Sequence, residues 1–184
     1  MRFACGGRFA ASDVLLFVAF TCLALSSTVY AHSASDAYLT LTTGSAEPTG
    51  KMTIHGQWDI ALRDLDFVLK LDNDGNGQLT WGEVRHHQAA ISQYSYQYLK
   101  FDGGSGNACS IKPGRQLIDE HADGAYAALF FDVVCARPPE KLTLHYNLFF
   151  AIDPSHRGIF VMRSRGTSAT ALLSPTNATV DFTF

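Results

Sequence analysis

The sequence predicts an α+β, mostly β fold: an antiparallel β-sandwich-like domain with an inserted helix–loop–helix. Two observations support this fold class. Eight short segments alternate apolar with polar residues or carry hairpin signals, at a spacing that is typical of sandwiches. Between the second and the third of these segments, at about residues 59–93, helical spacing appears on both sides of a short acidic stretch.

The strand predictions rest on alternation and on turn signals. Asp123-Gly124 strongly favours a hairpin between the segments on either side of it. Alternating apolar residues from Leu142 to Ile152 predict one long strand, and the alternation of Tyr94, Tyr96 and Tyr98 predicts another. The predicted strands cover residues 37–43, 51–58, 94–102, 115–121, 126–135, 142–152, 159–162 and 179–184.

Two helices are predicted on either side of the acidic stretch. In residues 59–71 the apolar side chains recur every three or four positions, which places them on one face of a helix. The second helix is predicted to begin at Thr80, because Glu83 follows three residues later in the capping-box pattern. This helix is predicted to end near Gln93.

The stretch between these helices, residues 72–83, is called the acidic loop below. It reads Asp-Asn-Asp-Gly-Asn-Gly-Gln-Leu-Thr-Trp-Gly-Glu and meets every constrained position of the EF-hand pattern for calcium. The candidate ligands are Asp72, Asp74, Asn76, Gln78 (through its backbone carbonyl), Thr80 and Glu83. Glu83 is expected to offer two oxygens and Gly77 to make the sharp turn, so Ca²⁺ is the predicted ion. A solvated acidic loop without an ion is the alternative interpretation.

The first 31 residues read as a secretion signal that is cleaved after Ala31. Arg2 and Arg8 make the start basic, and residues 14–25 form an apolar core shorter than the ~20 residues that span a membrane. An uncleaved anchor is the alternative. The mature chain, residues 32–184, is predicted to be one periplasmic or secreted domain.

Composition limits the partners and predicts one covalent link. Removing the signal leaves 12 basic and 16 acidic side chains without a basic run, so a nucleic acid is not an expected partner. Cys109 and Cys135 are the two cysteines of the mature chain. Because an exported protein meets an oxidising compartment, we expect them to form a disulfide, with two buried free thiols as the alternative.

Three segments together resemble the exported N-terminal region of long HupE/UreJ-like bacterial membrane proteins. They are residues 32–39 (HSASDAYL), 56–66 (GQWDIALRDLD) and 153–158 (DPSHRG). The resemblance implies a β-rich, EF-hand-bearing domain, here expected without the membrane part, and a link to a membrane transporter. The membrane part of that family is associated by name with nickel or cobalt uptake. A protein partner or self-association is a further expectation, because a single EF-hand needs support from elsewhere.

The rival function class is a transition-metal accessory protein that binds copper or nickel for uptake or handling. His32 would be the mature N-terminus, where its amine and its imidazole can chelate copper together. A second histidine would complete such a site, and each candidate is equally compatible with an ordinary surface or strand position. The candidates are His55, His121, His145 and His156.

Enzyme activity is not predicted. Asp153 and His156, with Ser155 or Ser164, have the residue types of acid–base catalysis. However, Asp153-Pro154-Ser155-His156-Arg157-Gly158 reads first as a turn, and no nucleophile elbow is present. The sequence therefore predicts an exported, calcium-binding EF-hand module with a structural or interaction role.

Overall fold

The structure, a computed structural model, describes residues 35–44, 53–164 and 166–184. The predicted signal, residues 1–31, and His32 lie outside these ranges. The described residues form nine strands and three helices, so the predicted α+β, mostly β fold class is confirmed. Among these residues, no helix is both long enough and apolar enough to span a membrane.

The elements in chain order are β1 (Asp36–Thr43), β2 (Ile54–Ala61), α1 (Leu62–Leu69), α2 (Trp81–His86), α3 (Gln88–Tyr96), β3 (Leu99–Asp102), β4 (Cys109–His121), β5 (Gly124–Cys135), β6 (Lys141–Tyr146), β7 (Arg157–Ser164), β8 (Thr167–Leu173) and β9 (Thr179–Thr183).

The strands form two sheets. The larger has the order β4-β5-β2-β1-β7-β8, and the smaller has the order β3-β6-β9. All neighbouring strands are antiparallel except β1 and β7, which are parallel. The predicted antiparallel β-sandwich-like arrangement therefore needs correction at this one pair. The long stretch of chain between β1 and β7 makes the parallel arrangement possible, because parallel neighbours cannot be joined by a tight hairpin.

The core contains apolar side chains from both sheets. Trp58 of β2 contacts Tyr146 of β6 with ring centroids 5.6 Å apart, and Phe160 of β7 contacts Phe182 of β9 at 4.7 Å. All four side chains are buried. This contact between the sheets gives the sandwich-like arrangement that the alternating sequence pattern predicted.

The first predicted helix is shorter than residues 59–71. Asp59, Ile60 and Ala61 continue β2 and pair with β5, so α1 begins only at Leu62. The helical apolar spacing did not reveal this, because strand pairing outweighs local preference where both partners lie in the core. The helix ends at Leu69 because Lys70 adopts a left-handed conformation with φ 55°.

Two of the strands that were predicted after the acidic loop need correction. Tyr94 and Tyr96 belong to α3, where Tyr94 contacts Tyr98 at 5.1 Å, the i,i+4 contact of a helix. The predicted strand over residues 142–152 ends at Tyr146, and a turn follows in which Phe149 has φ 58°. Alternation misled in both places because the residues of a helix and of a turn happen to alternate between apolar and polar in the sequence as strand residues do. Strand β8 was not predicted, since its sequence is mostly small and exposed.

The β4–β5 hairpin confirms two predictions. The strands join at Asp123-Gly124, with His121 opposite Gly124. At the other end Cys109 lies directly opposite Cys135, and the two sulfur atoms are 1.98 Å apart in a disulfide. The covalent link therefore closes the open end of the hairpin.

Candidate metal site

The acidic loop connects α1 to α2. At its start, the backbone N–H of Asp72 donates to the Asp66 carboxylate of α1 at 3.0 Å. At its end, Thr80 caps α2: its hydroxyl accepts from the Glu83 N–H, and the Glu83 carboxylate accepts from the Thr80 N–H at 2.9 Å. The predicted capping box is thus confirmed, and it fixes Glu83 at the point where the chain becomes helical.

Asp72 organises the middle of the loop. Its carboxylate accepts from the backbone N–H groups of Gly75 at 2.8 Å and Gly77 at 2.7 Å. Both glycines have positive φ, 70° and 79°, while nothing lies within 4 Å of an added Cβ at either position. The loop therefore needs glycine for its backbone conformation and not for lack of space.

Two further side chains repeat this kind of hydrogen bond. The Asp74 carboxylate accepts from the backbone N–H of Asn76 at 3.1 Å and from its side-chain amide at 2.8 Å. The side-chain oxygen of Asn76 in turn accepts from the backbone N–H of Gln78 at 2.7 Å. These bonds hold alternate side chains against the loop backbone, which restricts their rotamers before any ion binds.

Glu83 joins the two ends of the loop. One carboxylate oxygen accepts from the Asn73 N–H at 2.9 Å, and the other accepts from the Thr80 N–H and hydroxyl, the latter at 2.7 Å. Asp72, Asp74 and Glu83 each offer one oxygen within 4.8 Å of the others. Oxygens that share a Ca²⁺ ion at 2.3–2.6 Å can stand up to about 5 Å apart, so this spacing suits calcium.

Hydrogen bonding also sets the charge of the site. The Gly77 N–H, first among several donors, lowers the pKa of the Asp72 carboxyl, and the Thr80 N–H does the same for Glu83. Both carboxyls are therefore ionised at neutral pH. The loop is exposed to solvent along most of its length. A cation from solution would thus meet negative oxygens that the loop backbone already orients.

The remaining predicted ligands lie in the same exposed segment. Asn76, Gln78 and Thr80 stand between the carboxylates in sequence, and all offer oxygen rather than nitrogen or sulfur. An all-oxygen donor set matches the preference of a hard cation such as Ca²⁺. The residues of this loop thus fit the predicted ion, while the individual ligand roles stay predictions.

Apolar neighbours support the loop from inside. Leu71 is fully buried, and Leu79 is half-buried against the core. Leu79 is not part of any strand of the described residues. Leu79 instead shares a groove with Tyr126 and the Asp123-Gly124 turn of the β4–β5 hairpin. The turn of the β4–β5 hairpin therefore lies beside the acidic loop.

The candidate histidines of the rival metal site each have different neighbours. His55 pairs with Asp132 at 2.7 Å, His145 contacts Thr179, and His156 is fully buried. His121 lies 3.4 Å from Asp59 and, with Asp119, forms the second group of metal-ligand types. In the described ranges neither such group contains two histidines. Sequence reasoning missed Asp59 and Asp119 because only strand pairing brings β2 and β4 near each other.

The residues considered for catalysis have other partners. Ser155 donates to Asp153 through its N–H at 2.8 Å and its hydroxyl at 2.6 Å, and not to His156. His156 Nδ1 instead lies 2.7 Å from the hydroxyl of Ser35. No sequence pattern indicates this pair, since 121 positions separate the two residues.

These contacts assign the tautomer of His156. The Ser35 hydroxyl donates to Asp64 at 2.9 Å, so it must accept from His156 Nδ1. His156 Nε2 is then the acceptor for the Tyr146 hydroxyl at 2.8 Å. Burial lowers the pKa of His156 to about 4, which keeps the ring neutral at neutral pH. The result is a directed chain of hydrogen bonds from Tyr146 to Asp64.

Comparison with protein-family models gives no match to this chain, and a search of curated proteins finds none either. The resemblance to the exported region of HupE/UreJ-like proteins therefore stays a prediction from three sequence segments.

Proposed function

We propose that this protein is an exported calcium-binding module whose acidic loop holds one Ca²⁺ ion as an EF-hand does. The observation that carries the proposal is the convergence of Asp72, Asp74 and Glu83, whose oxygens lie within 4.8 Å of one another. Three carboxylates so close repel each other, and a divalent cation removes that repulsion. The oxygen-only donor set favours calcium over softer metals.

Calcium would act by fastening α1 and α2 to the domain. The loop lies between these helices, and Leu71 at its start is buried in the core. Since Glu83 belongs to the first turn of α2, an ion bound by Asp72 and Glu83 would couple the two helices. A structural role follows directly from this arrangement.

An interaction role is supported by two exposed aromatic side chains, one before the acidic loop and one within it. Phe67 of α1 is 69% exposed, and Trp81 of α2 is 56% exposed. Exposed apolar side chains that lie together in one patch are typical of binding surfaces. Calcium would set the relative position of the two helices that carry them, which links ion binding to the shape of this surface.

Export and family membership belong to the same proposal. The Cys109–Cys135 disulfide is consistent with a periplasmic or secreted protein. Ser35, Asp64 and His156 come from the three segments that resemble HupE/UreJ-like proteins, and they join in one hydrogen-bond chain. Three distant segments that meet at one point support a shared fold. This relationship implies that the partner of the protein is a membrane transporter.

Calorimetric titration with Ca²⁺ tests the proposal. We expect one ion per chain, with a dissociation constant of roughly 10⁻⁴ to 10⁻³ M, in the range of extracellular modules. Glu83→Gln should abolish the heat signal, whereas the matched control Glu140→Gln, an exposed glutamate outside the loop, should retain it. A wild-type protein that binds no calcium at millimolar concentration would refute the proposed function.

A further inference from the structure

We propose that Asp59, Asp119 and His121 form a second metal site, which binds a divalent transition-metal ion such as Zn²⁺. This site is separate from the acidic loop and does not depend on the calcium proposal. Asp59 lies on β2, and Asp119 and His121 lie on β4. Strand β5 pairs with both, and one ligand atom from each of the three residues lies within 4.8 Å of the others.

The distance between two of these atoms suits a shared ion better than a hydrogen bond. His121 Nε2 lies 3.4 Å from Asp59 Oδ2. A good hydrogen bond between such groups is about 2.7–3.2 Å long. Two ligands that each lie about 2.0–2.1 Å from a tetrahedral zinc ion are about 3.3–3.4 Å apart. The nitrogen and the oxygen therefore already have the separation that zinc ligands have.

The charge at this position also calls for a cation. Asp59 is a carboxylate with only 7% of its surface exposed. The imidazole of His121 and the carboxylate of Asp119 each place one ligand atom within 4.8 Å of the Asp59 oxygen. Two carboxylates and one imidazole therefore meet at this position, and a divalent ion would balance the two negative charges.

Neighbouring side chains hold the ligands in place. The Gln57 amide donates to both oxygens of Asp59, at 2.9 Å and 3.1 Å. The ring of His121 stacks on Tyr126 with centroids 4.1 Å apart and also contacts Tyr38 at 4.9 Å. Partners that orient ligands in this way are typical of metal sites, because they fix the ring and carboxylate before the ion arrives.

The donor set selects the class of metal. One imidazole nitrogen with two carboxylate oxygens suits zinc and its neighbours, whereas calcium prefers oxygen alone. Asp119 is exposed, so an ion can reach the site from solution. Three protein ligands leave a fourth position on a tetrahedral ion for water or for a group on a partner.

Calorimetric titration with Zn²⁺, on the purified disulfide-bonded protein in millimolar Ca²⁺, tests this inference. His121→Ala and Asp119→Asn should each weaken zinc binding by at least roughly 10- to 100-fold. Loss of a residue that only orients a ligand already costs this much, and these two substitutions remove ligands. The matched control is His55→Ala, which removes another histidine of the same sheet that also faces a carboxylate. That variant should bind zinc as the wild type does, and so should Glu83→Gln.

The visible absorption of Co²⁺ bound in place of zinc gives a second readout, and the band should disappear in His121→Ala. Asp119 is exposed, so Asp119→Asn keeps the test valid if the His121 variant does not fold. Unchanged zinc affinity in a folded His121 or Asp119 variant would overturn the proposal. An equal loss in His55→Ala would overturn it as well.

Discussion

His156 is the residue at which the structure predicts a clear pH effect. Burial lowers its pKa to about 4 in the folded protein, against about 6.5 in an unfolded chain. Below pH 6.5 the unfolded state therefore takes up a proton that the folded state refuses until pH 4. The proton uptake does not affect the free energy of unfolding above pH 6.5. As the pH falls towards 4, it lowers the free energy of unfolding by roughly 3 kcal/mol in total.

The charged groups around His156 modify this effect without reversing it. Asp153 raises the pKa of His156 and Arg157 lowers it, both less than burial does. Urea unfolding between pH 4.5 and 7 should show a steeper loss of stability in the wild type than in His156→Gln. His145→Gln, a control at a half-buried histidine of β6, should follow the wild type. Parallel curves for the wild type and His156→Gln would contradict this account.

Two glycines of the acidic loop should respond in opposite directions to alanine. Gly77 has φ 79°, so Gly77→Ala strains the backbone by roughly 1–2 kcal/mol and should weaken calcium binding. Gly82 lies in the first turn of α2, and an added Cβ would meet Thr80 at 3.8 Å, an ordinary contact. Gly82→Ala should therefore stabilise the helix by up to about 1 kcal/mol.

Thermal unfolding in excess Ca²⁺, together with calcium titration, measures both effects. Gly77→Ala should lower the melting temperature and the calcium affinity, and Gly82→Ala should raise the melting temperature. If Gly77→Ala binds calcium as tightly as the wild type, the loop does not use the backbone conformation described here when it binds the ion.

At the scale of elements, short sequence motifs correctly predicted the turns and helix caps that local interactions determine. Asp123-Gly124 predicted the hairpin correctly because its turn geometry is set by those residues themselves. The capping box of Thr80 and Glu83 was likewise readable from four consecutive positions. By contrast, Asp59 joins β2 through its pairing with Ala128, a distant partner that no local pattern reveals. Element bounds failed where tertiary pairing decided them.

The β4–β5 hairpin carries a prediction at this scale. The Cys109–Cys135 disulfide closes a loop with a sequence separation of 26, and the chain-entropy model assigns such a link about 3 to 4 kcal/mol. The double substitution Cys109→Ser with Cys135→Ser should lower the free energy of unfolding by about this amount, as urea unfolding measures it. The reducing agent dithiothreitol should destabilise the wild type and leave the variant unchanged. Equal midpoints of the wild type and the variant would contradict a stabilising disulfide.

At the scale of the whole molecule, the two candidate metal sites differ in how far the sequence could reveal them. The acidic loop is contiguous, so its ligand types appear in one motif, and the structure brings Asp72, Asp74 and Glu83 together. Asp59 and His121 meet only because β5 pairs with both of their strands. A site that is assembled by sheet pairing leaves no spacing pattern in the sequence. The sequence alone therefore could not predict it.

Whole-molecule stability should also depend on calcium. An ion that binds only the folded loop, as proposed, would stabilise the protein by RT ln(1 + [L]/Kd). With Ca²⁺ at about 10 to 100 times the dissociation constant, this amounts to roughly 1 to 3 kcal/mol. For a domain of this size the melting temperature should rise by about 3 to 10 °C.

The most direct test compares that rise in the wild type, Glu83→Gln and the control Glu140→Gln by thermal unfolding with Ca²⁺ or with a chelator. Glu83→Gln keeps the shape of the side chain but replaces the charged carboxylate by a neutral amide, which calcium binds poorly. The wild type and Glu140→Gln should melt several degrees higher with calcium, while Glu83→Gln should show no difference. A calcium effect that survives Glu83→Gln would contradict the assignment of the acidic loop as the calcium site.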